Sequence, residues 1–228
     1  MGELTIRAMA LDIDGTLTDM SRRMDPASLS ALYRLKVPVV LATGNTHCFT
    51  RAISIMLGSH HFVAENGGVI SIHDRMEMLA SREPCDRAFQ ILQENFEVQA
   101  FDSRYRLTDL VLKNDFDLEL AGRILQDAGL PVELVDTGFA VHIKNRSVSK
   151  ATGLKRVSEI LDIPMHQFVA VGDSYSDIPM MEVAGYAAAV ANAREEVKAV
   201  CDYVSAGPFG QGFAGIVEHL IQEDMFQL

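Results

Sequence analysis

The chain reads as an α/β protein, a doubly wound parallel sheet into which a smaller α+β unit is inserted. Three observations predict this. Short continuous apolar runs alternate with helical patterns in the first and last thirds, as strands buried on both faces do. The principal runs end in turns rich in polar or acidic residues, where parallel strands deliver their ligands. The middle third changes to helix, two half-exposed strands, helix and two further strands, which is an α+β texture. Together these describe a Rossmann-like core interrupted once.

The opening strand, Ala8-Met9-Ala10-Leu11, runs into Asp12-Ile13-Asp14 and stops at Gly15-Thr16. Asp25 then caps a helix through about Leu35, with Pro26 at its first position. Val37-Pro38-Val39-Val40-Leu41-Ala42 is a second apolar run, ending at Thr43-Gly44-Asn45. A helical pattern continues through Leu57, and His61–Ala64 leads to the turn Glu65-Asn66-Gly67-Gly68. In the middle, helices are expected at Pro84–Phe96 and Leu118–Ala128. Strands are expected at Val98–Phe101, Arg104–Lys113, Val132–Asp136 and Phe139–Lys144, the last two joined by a turn at Thr137-Gly138. The core rhythm resumes with helical Ala151–Leu161 and the run Phe168-Val169-Ala170-Val171, which ends at Gly172-Asp173. Short strands at Ala187–Val190 and Tyr203–Ser205 precede a closing helix from about Phe213. The division is 1–79 and 149–228 for the core and 80–148 for the insert.

Composition narrows the function. A net charge of −11 over 228 residues lacks the basic stripe that nucleic acid requires. No apolar stretch is long enough to span a bilayer, and the amino terminus lacks a secretion signal. Cys48, Cys85 and Cys201 have no metal-ligand spacing and suit a reducing cytoplasm. The seven histidines show no ligand spacing either, and the methionines read as core filler.

The chemistry gathers at the strand ends. Residues i and i+2 of a strand share a face, so Asp12 and Asp14 emerge together. Two close carboxylates repel, and their burial needs a cation or a shared proton. A divalent metal fits, with one carboxylate available as a nucleophile. Thr43-Gly44 alone reads as a strand-to-helix turn, one whose hydroxyl and Gly44 and Asn45 amides would suit an anion at a helix start. Lys150 opens a later helix, and Gly172-Asp173-Ser174-Tyr175-Ser176-Asp177 follows another strand. In an open parallel sheet these four signals converge on one crevice.

The four signals, in this order, resemble the motifs of the haloacid-dehalogenase superfamily of phosphatases. Asp12-Ile13-Asp14-Gly15-Thr16 resembles the first, Thr43 the second, Lys150 the third and Gly172-Asp173…Asp177 the fourth. The insert is similar to the superfamily's C2-type cap. Leu41–Asn45, Glu65–Gly68, Asn145-Arg146 ahead of Lys150, and Gly172–Met180 look especially like the archaeal phosphoglycolate phosphatases. The resemblance implies that Asp12 is a nucleophile forming an aspartyl-phosphate, and that Asp14 is the general acid and base. It implies Mg2+ held by Asp12, the Asp14 carbonyl and Asp173, with Asp177 in or beside that shell or orienting Lys150. Thr43, Gly44, Asn45 and Lys150 would hold the phosphoryl group. Ser176 departs from the pattern, since many relatives carry Asn there. The implied substrate is a small phosphorylated metabolite, 2-phosphoglycolate, whose carboxylate calls for a basic residue from the cap; Arg104 and Arg106 are the candidates. A sugar phosphate of the sucrose-phosphate or mannosyl-phosphoglycerate type is the alternative substrate. A phospho-accepting signalling module is the alternative class.

Overall fold

A computed structural model describes residues 5–137 and 140–226. The first strand, β1 (Ala8–Leu11), is fully buried. Its alternation divides two cores: Met9 and Leu11 pack with Leu32, Phe213 and Ile216 on one face. Ala8 and Ala10 pack with Leu154 and Val157 on the other. Helix α1 (Pro26–Arg34) starts as expected, with the Asp25 carboxylate accepting from the Ala27 amide at 2.8 Å. Next come β2 (Val39–Ala42), α2 (His47–Leu57) and β3 (His61–Ala64).

An antiparallel hairpin, β4 (Val69–Ile72) and β5 (Arg75–Met78), extends the sheet beyond the strands anticipated. Its two-residue turn, His73-Asp74, holds φ of 48° and 63°, the left-handed pair a tight hairpin turn demands. The usual Asn-Gly or Asp-Gly is absent, so the sequence carried little signal for it.

The insert holds α3 (Glu83–Asn95), β6 (Leu110–Leu112), α4 (Leu118–Asp127), β7 (Val132–Asp136) and β8 (Val141–Asn145). The strands form a separate antiparallel sheet in the order β6-β8-β7. Cys85, Leu92, Leu112, Leu125 and Ile143 build its own apolar core. The anticipated strand at 104–113 shrinks to β6, and Val98–Phe101 contributes only a bridge from Ala100 to Leu112. The reason is tertiary: the amides of Leu107 and Thr108 donate to the Glu65 carboxylate, both at 2.8 Å, and are unavailable to a ladder. The predicted turn at Gly138, with Phe139, lies outside the described residues.

The chain returns to the core through α5 (Lys150–Leu161), β9 (Phe168–Gly172), α6 (Ile178–Val183), β10 (Tyr186–Ala189), α7 (Glu195–Lys198), β11 (Tyr203–Val204) and α8 (Phe209–Gln222). Helix α8 begins four residues before the expected position. The main sheet has eight strands in the order β11-β10-β9-β1-β2-β3-β4-β5, parallel except for the last hairpin. Strand β1 lies between β2 and β9, so the chain leaves it in one direction and later returns on the other side. That is the switch point where an open α/β sheet forms its crevice. No helix among the described residues is long and apolar enough to cross a membrane.

Candidate active site

Asp12 follows β1, Thr43 follows β2 and Asp173 follows β9, so three adjacent strands aim polar residues at one crevice. Lys150, the first residue of α5, reaches into it with only 2% exposure. Its ammonium donates to Asp12 Oδ1 and Asp177 Oδ1, each at 2.6 Å. Asp177 Oδ2 accepts from the Asp173 amide, the Ser174 amide and the Ser174 hydroxyl. Both Asp177 oxygens are thereby engaged, and its carboxylate fixes the Lys150 ammonium.

Three carboxylates thus face one ammonium. Oxygens of Asp12, Asp173 and Asp177 lie within 4.8 Å of one another, and Asp12 Oδ2 is buried with no hydrogen-bond partner. An orphaned buried oxygen is costly, and the acids show it. Burial pushes the Asp12 carboxyl well above the usual carboxylate range, with Lys150 opposing and Asp177 and Asp173 adding to the rise. Burial and the Asp177 charge push Asp173 up to about 7, against Lys150. Burial also works against the Lys150 ammonium, but Asp12 and Asp177 outweigh it and hold its pKa above the ordinary lysine value. A hard divalent cation fits this set: the donors are oxygens, charge is in negative excess and one oxygen lacks a partner.

The turns hold these groups by close approach. Gly15 has φ of +86°, and a Cβ there would collide with the Asp173 carboxylate, so only glycine serves. The Asn192 side chain donates to the Gly15 carbonyl at 2.9 Å and accepts from the Phe209 amide at 2.6 Å. It ties the turn after β1 to the start of α8, and nothing in the sequence patterning singled it out. Thr16 donates to Asp173 at 3.4 Å. Ser176 bonds the Ser174 hydroxyl at 2.9 Å rather than a carboxylate.

Thr43 is 1% exposed. Its hydroxyl oxygen accepts from the Asn45 amide at 3.1 Å and from the Asn45 side chain at 3.0 Å. With both lone pairs used, the hydroxyl proton is left to donate. The Asn45 amide, expected to face a phosphoryl oxygen, is spent inside the turn. The Asn45 side chain has a second task, donating to Asp14 Oδ2 at 2.5 Å. Asp14 Oδ1 lies 3.6 Å from Arg22. The Asp14 side chain therefore stands apart from the acidic trio, turned toward Asn45 and Arg22.

The turn at 65–68 is more than a connection. Glu65 is fully buried with φ of +51°. Its carboxylate accepts from the His47, Leu107 and Thr108 amides and the Thr108 hydroxyl. A Cβ on Gly67, at φ +100°, would collide with the Ser149 carbonyl. Arg106 joins the same junction. Its guanidinium donates to the Gly44 carbonyl at 3.1 and 3.2 Å and to both Asp109 oxygens at 2.8 and 2.9 Å. His142 Nδ1 lies 3.0 Å from Asp109 and 3.2 Å from the Asn66 amide nitrogen. Burial opposes the Asp109 charge, yet His142 and Arg106 hold its carboxyl below the usual range. Arg104, by contrast, is 77% exposed and paired with Asp102. The sequence signals at this junction were a glutamate between an apolar strand and a glycine pair, and Arg106 as a basic residue of the insert.

The family described as haloacid dehalogenase-like hydrolase matches residues 9–117 and 133–212. A protein of Methanothrix thermoacetophila named phosphoglycolate phosphatase is 57% identical over 215 residues, covering 94% of this chain and 97% of that protein. One of the same name from Archaeoglobus fulgidus is 41% identical over 217 residues, covering 94% and 96%. A crystal structure from Thermoplasma acidophilum superposes with a TM-score of 0.88 at 24% identity, covering 95% of this chain and 99% of that one. A haloacid dehalogenase-like hydrolase from Bacteroides thetaiotaomicron gives 0.80 at 18%, covering 95% and 100%. With the family matched across most of its length, the chain belongs to the haloacid dehalogenase-like hydrolases.

Proposed function

We propose that the chain is a magnesium-dependent phosphomonoesterase that hydrolyses 2-phosphoglycolate to glycolate and phosphate through an aspartyl-phosphate. The observation that carries the chemistry is Asp12, with one oxygen pinned by Lys150 and the other buried without a partner. The substrate reading is supported by relatives named phosphoglycolate phosphatase that align over nearly their whole length.

In this mechanism Lys150 and the Thr43 hydroxyl bind phosphoryl oxygens, positioning phosphorus for in-line attack. Asp12 attacks, forming the acyl phosphate as the ester bond breaks. Asp14 gives its proton to the departing glycolate oxygen and then takes one from the water that cleaves the acyl phosphate. Asp177 keeps Lys150 aimed at Asp12. Magnesium, held by Asp12, Asp173 and the Asp14 carbonyl with Asp177 beside it, would supply positive charge against the phosphoryl oxygens. Residues 80–148 act as a cap that excludes bulk water. Buried Cys85 and half-buried Cys201, whose thiols burial pushes up to about 12, are inert thiols suited to the cytoplasm.

The test is an assay of purified protein on phosphoglycolate and a panel of sugar phosphates, with magnesium and with chelator. Turnover that needs magnesium and favours phosphoglycolate is expected. Preference for a sugar phosphate refutes the substrate and leaves the class standing. A stable phosphoprotein from acetyl phosphate, without ester hydrolysis, refutes the class.

A further inference from the structure

The substrate proposed above carries two anions, and the phosphoryl group accounts for one. The two cap arginines expected to serve the other, Arg104 and Arg106, are engaged elsewhere. Arg104 faces solvent in a pair with Asp102. Arg106 is only 11% exposed, and its donors go to Gly44 and Asp109, so it braces the phosphoryl turn from behind.

A third arginine comes from the segment after β1. The segment after β1 folds back on itself, with Thr18 bridging Met24 and Asp14 bridging Thr18. Its tip is tied by the Arg22 amide to the Asp19 carbonyl at 2.9 Å. Asp19 also accepts from the Ser21 and Arg23 amides at 2.7 and 3.0 Å. From this tip the Arg22 side chain, 63% exposed, comes within 3.6 Å of Asp14 Oδ1.

Resting on the proposed function, we infer that Arg22 is the specificity residue that receives the substrate's carboxylate. Asp14 must lie within hydrogen-bond distance of the ester oxygen it protonates. In phosphoglycolate a single methylene separates that oxygen from the carboxylate, so the carboxylate arrives beside Asp14, where Arg22 stands. A guanidinium offers the paired donors that a carboxylate takes bidentately. The Arg22–Asp14 contact is long and largely exposed, a geometry that contributes little. Moving the guanidinium onto the substrate carboxylate releases Asp14 Oδ1 for proton transfer.

The test compares kcat/KM for phosphoglycolate and ethyl phosphate, which matches its length without the second charge. Wild type, Arg22→Gln and Arg22→Lys are measured with magnesium. Neither substitution adds a new demand at the φ of 59°, since all three side chains are unbranched at Cβ. The ratio between the esters cancels any loss of folded protein or change at Asp14. The expected result is wild-type preference for phosphoglycolate that falls about tenfold or more in Arg22→Gln. The fall appears chiefly as a higher KM for phosphoglycolate, and Arg22→Lys recovers part of it. Equal losses on both esters, or a preference that survives Arg22→Gln, overturn the assignment while the substrate reading stands. A wild type with no preference for phosphoglycolate overturns the substrate reading and the role of Arg22 with it.

Discussion

Two buried charge clusters lie within a few residues of each other in this molecule, and they are built to opposite specifications. At the junction of core and insert, Glu65 has four donors and Asp109 is gripped by Arg106 and His142. In the crevice, three carboxylates share one lysine and Asp12 keeps an oxygen without a partner. The acids respond accordingly, Asp109 being held low and Asp12 and Asp173 pushed high. A satisfied cluster is a fastening. On the proposed reading, the unsatisfied one is completed by a cation and a substrate.

That contrast is open to direct attack, beginning with the largest effect. Asp12→Asn should lower kcat by at least about 10^3-fold while the circular dichroism stays native; activity near wild type would refute the nucleophile. Lys150→Met should cost about 10^2-fold or more in kcat, the usual loss when charge stabilisation is removed. At the junction the balance should reverse. Asp109→Asn breaks a buried pair and should cost about 3 kcal/mol in denaturant unfolding, with a much smaller effect on kcat than Lys150→Met. A kcat loss as large as that of Lys150→Met, without destabilisation, would place the junction in the chemistry.

The smallest effect concerns pH. Burial, with His73 and His60 nearby, lowers His61 from 6.5 to about 4, and its Nδ1 is buried without a partner. Between those values the unfolded chain takes up a proton that the folded chain refuses. Stability is therefore complete above about pH 6.5 and declines toward pH 4. His61→Asn should flatten that part of a Tm-against-pH curve; an unchanged slope would show that other groups carry it.

The two regions also differed in how far they could be read from sequence. The core site was legible because apolar strands followed by polar turns carry a periodic signal, and the switch point then brings Asp12, Thr43 and Asp173 together. Asn45 shows the limit: its amide was expected at a phosphoryl oxygen, whereas it bonds the Thr43 hydroxyl and its side chain meets Asp14. The junction was poorly legible because its bonds join distant residues, 42 positions apart for Glu65 and Leu107 and 76 for Asn66 and His142. Residues 104–113 read as a strand in pattern, yet Glu65 takes the amides of Leu107 and Thr108 away from the ladder. Asn192 was invisible for the same reason, since its partner Gly15 lies 177 residues away. Arg22 sat in a polar turn whose position beside Asp14 only the folded chain reveals.

On the proposed reading the unfinished cluster is the centre of reaction, with Asp12 as the attacking group. Rapid acid quenching of the magnesium-loaded protein during turnover of phosphate-labelled phosphoglycolate, followed by peptide mapping, measures this directly. A transient label confined to the peptide bearing Asp12, and absent in Asp12→Asn, is the predicted result. Steady turnover with no protein-bound phosphate, or with the label on another residue, would contradict it.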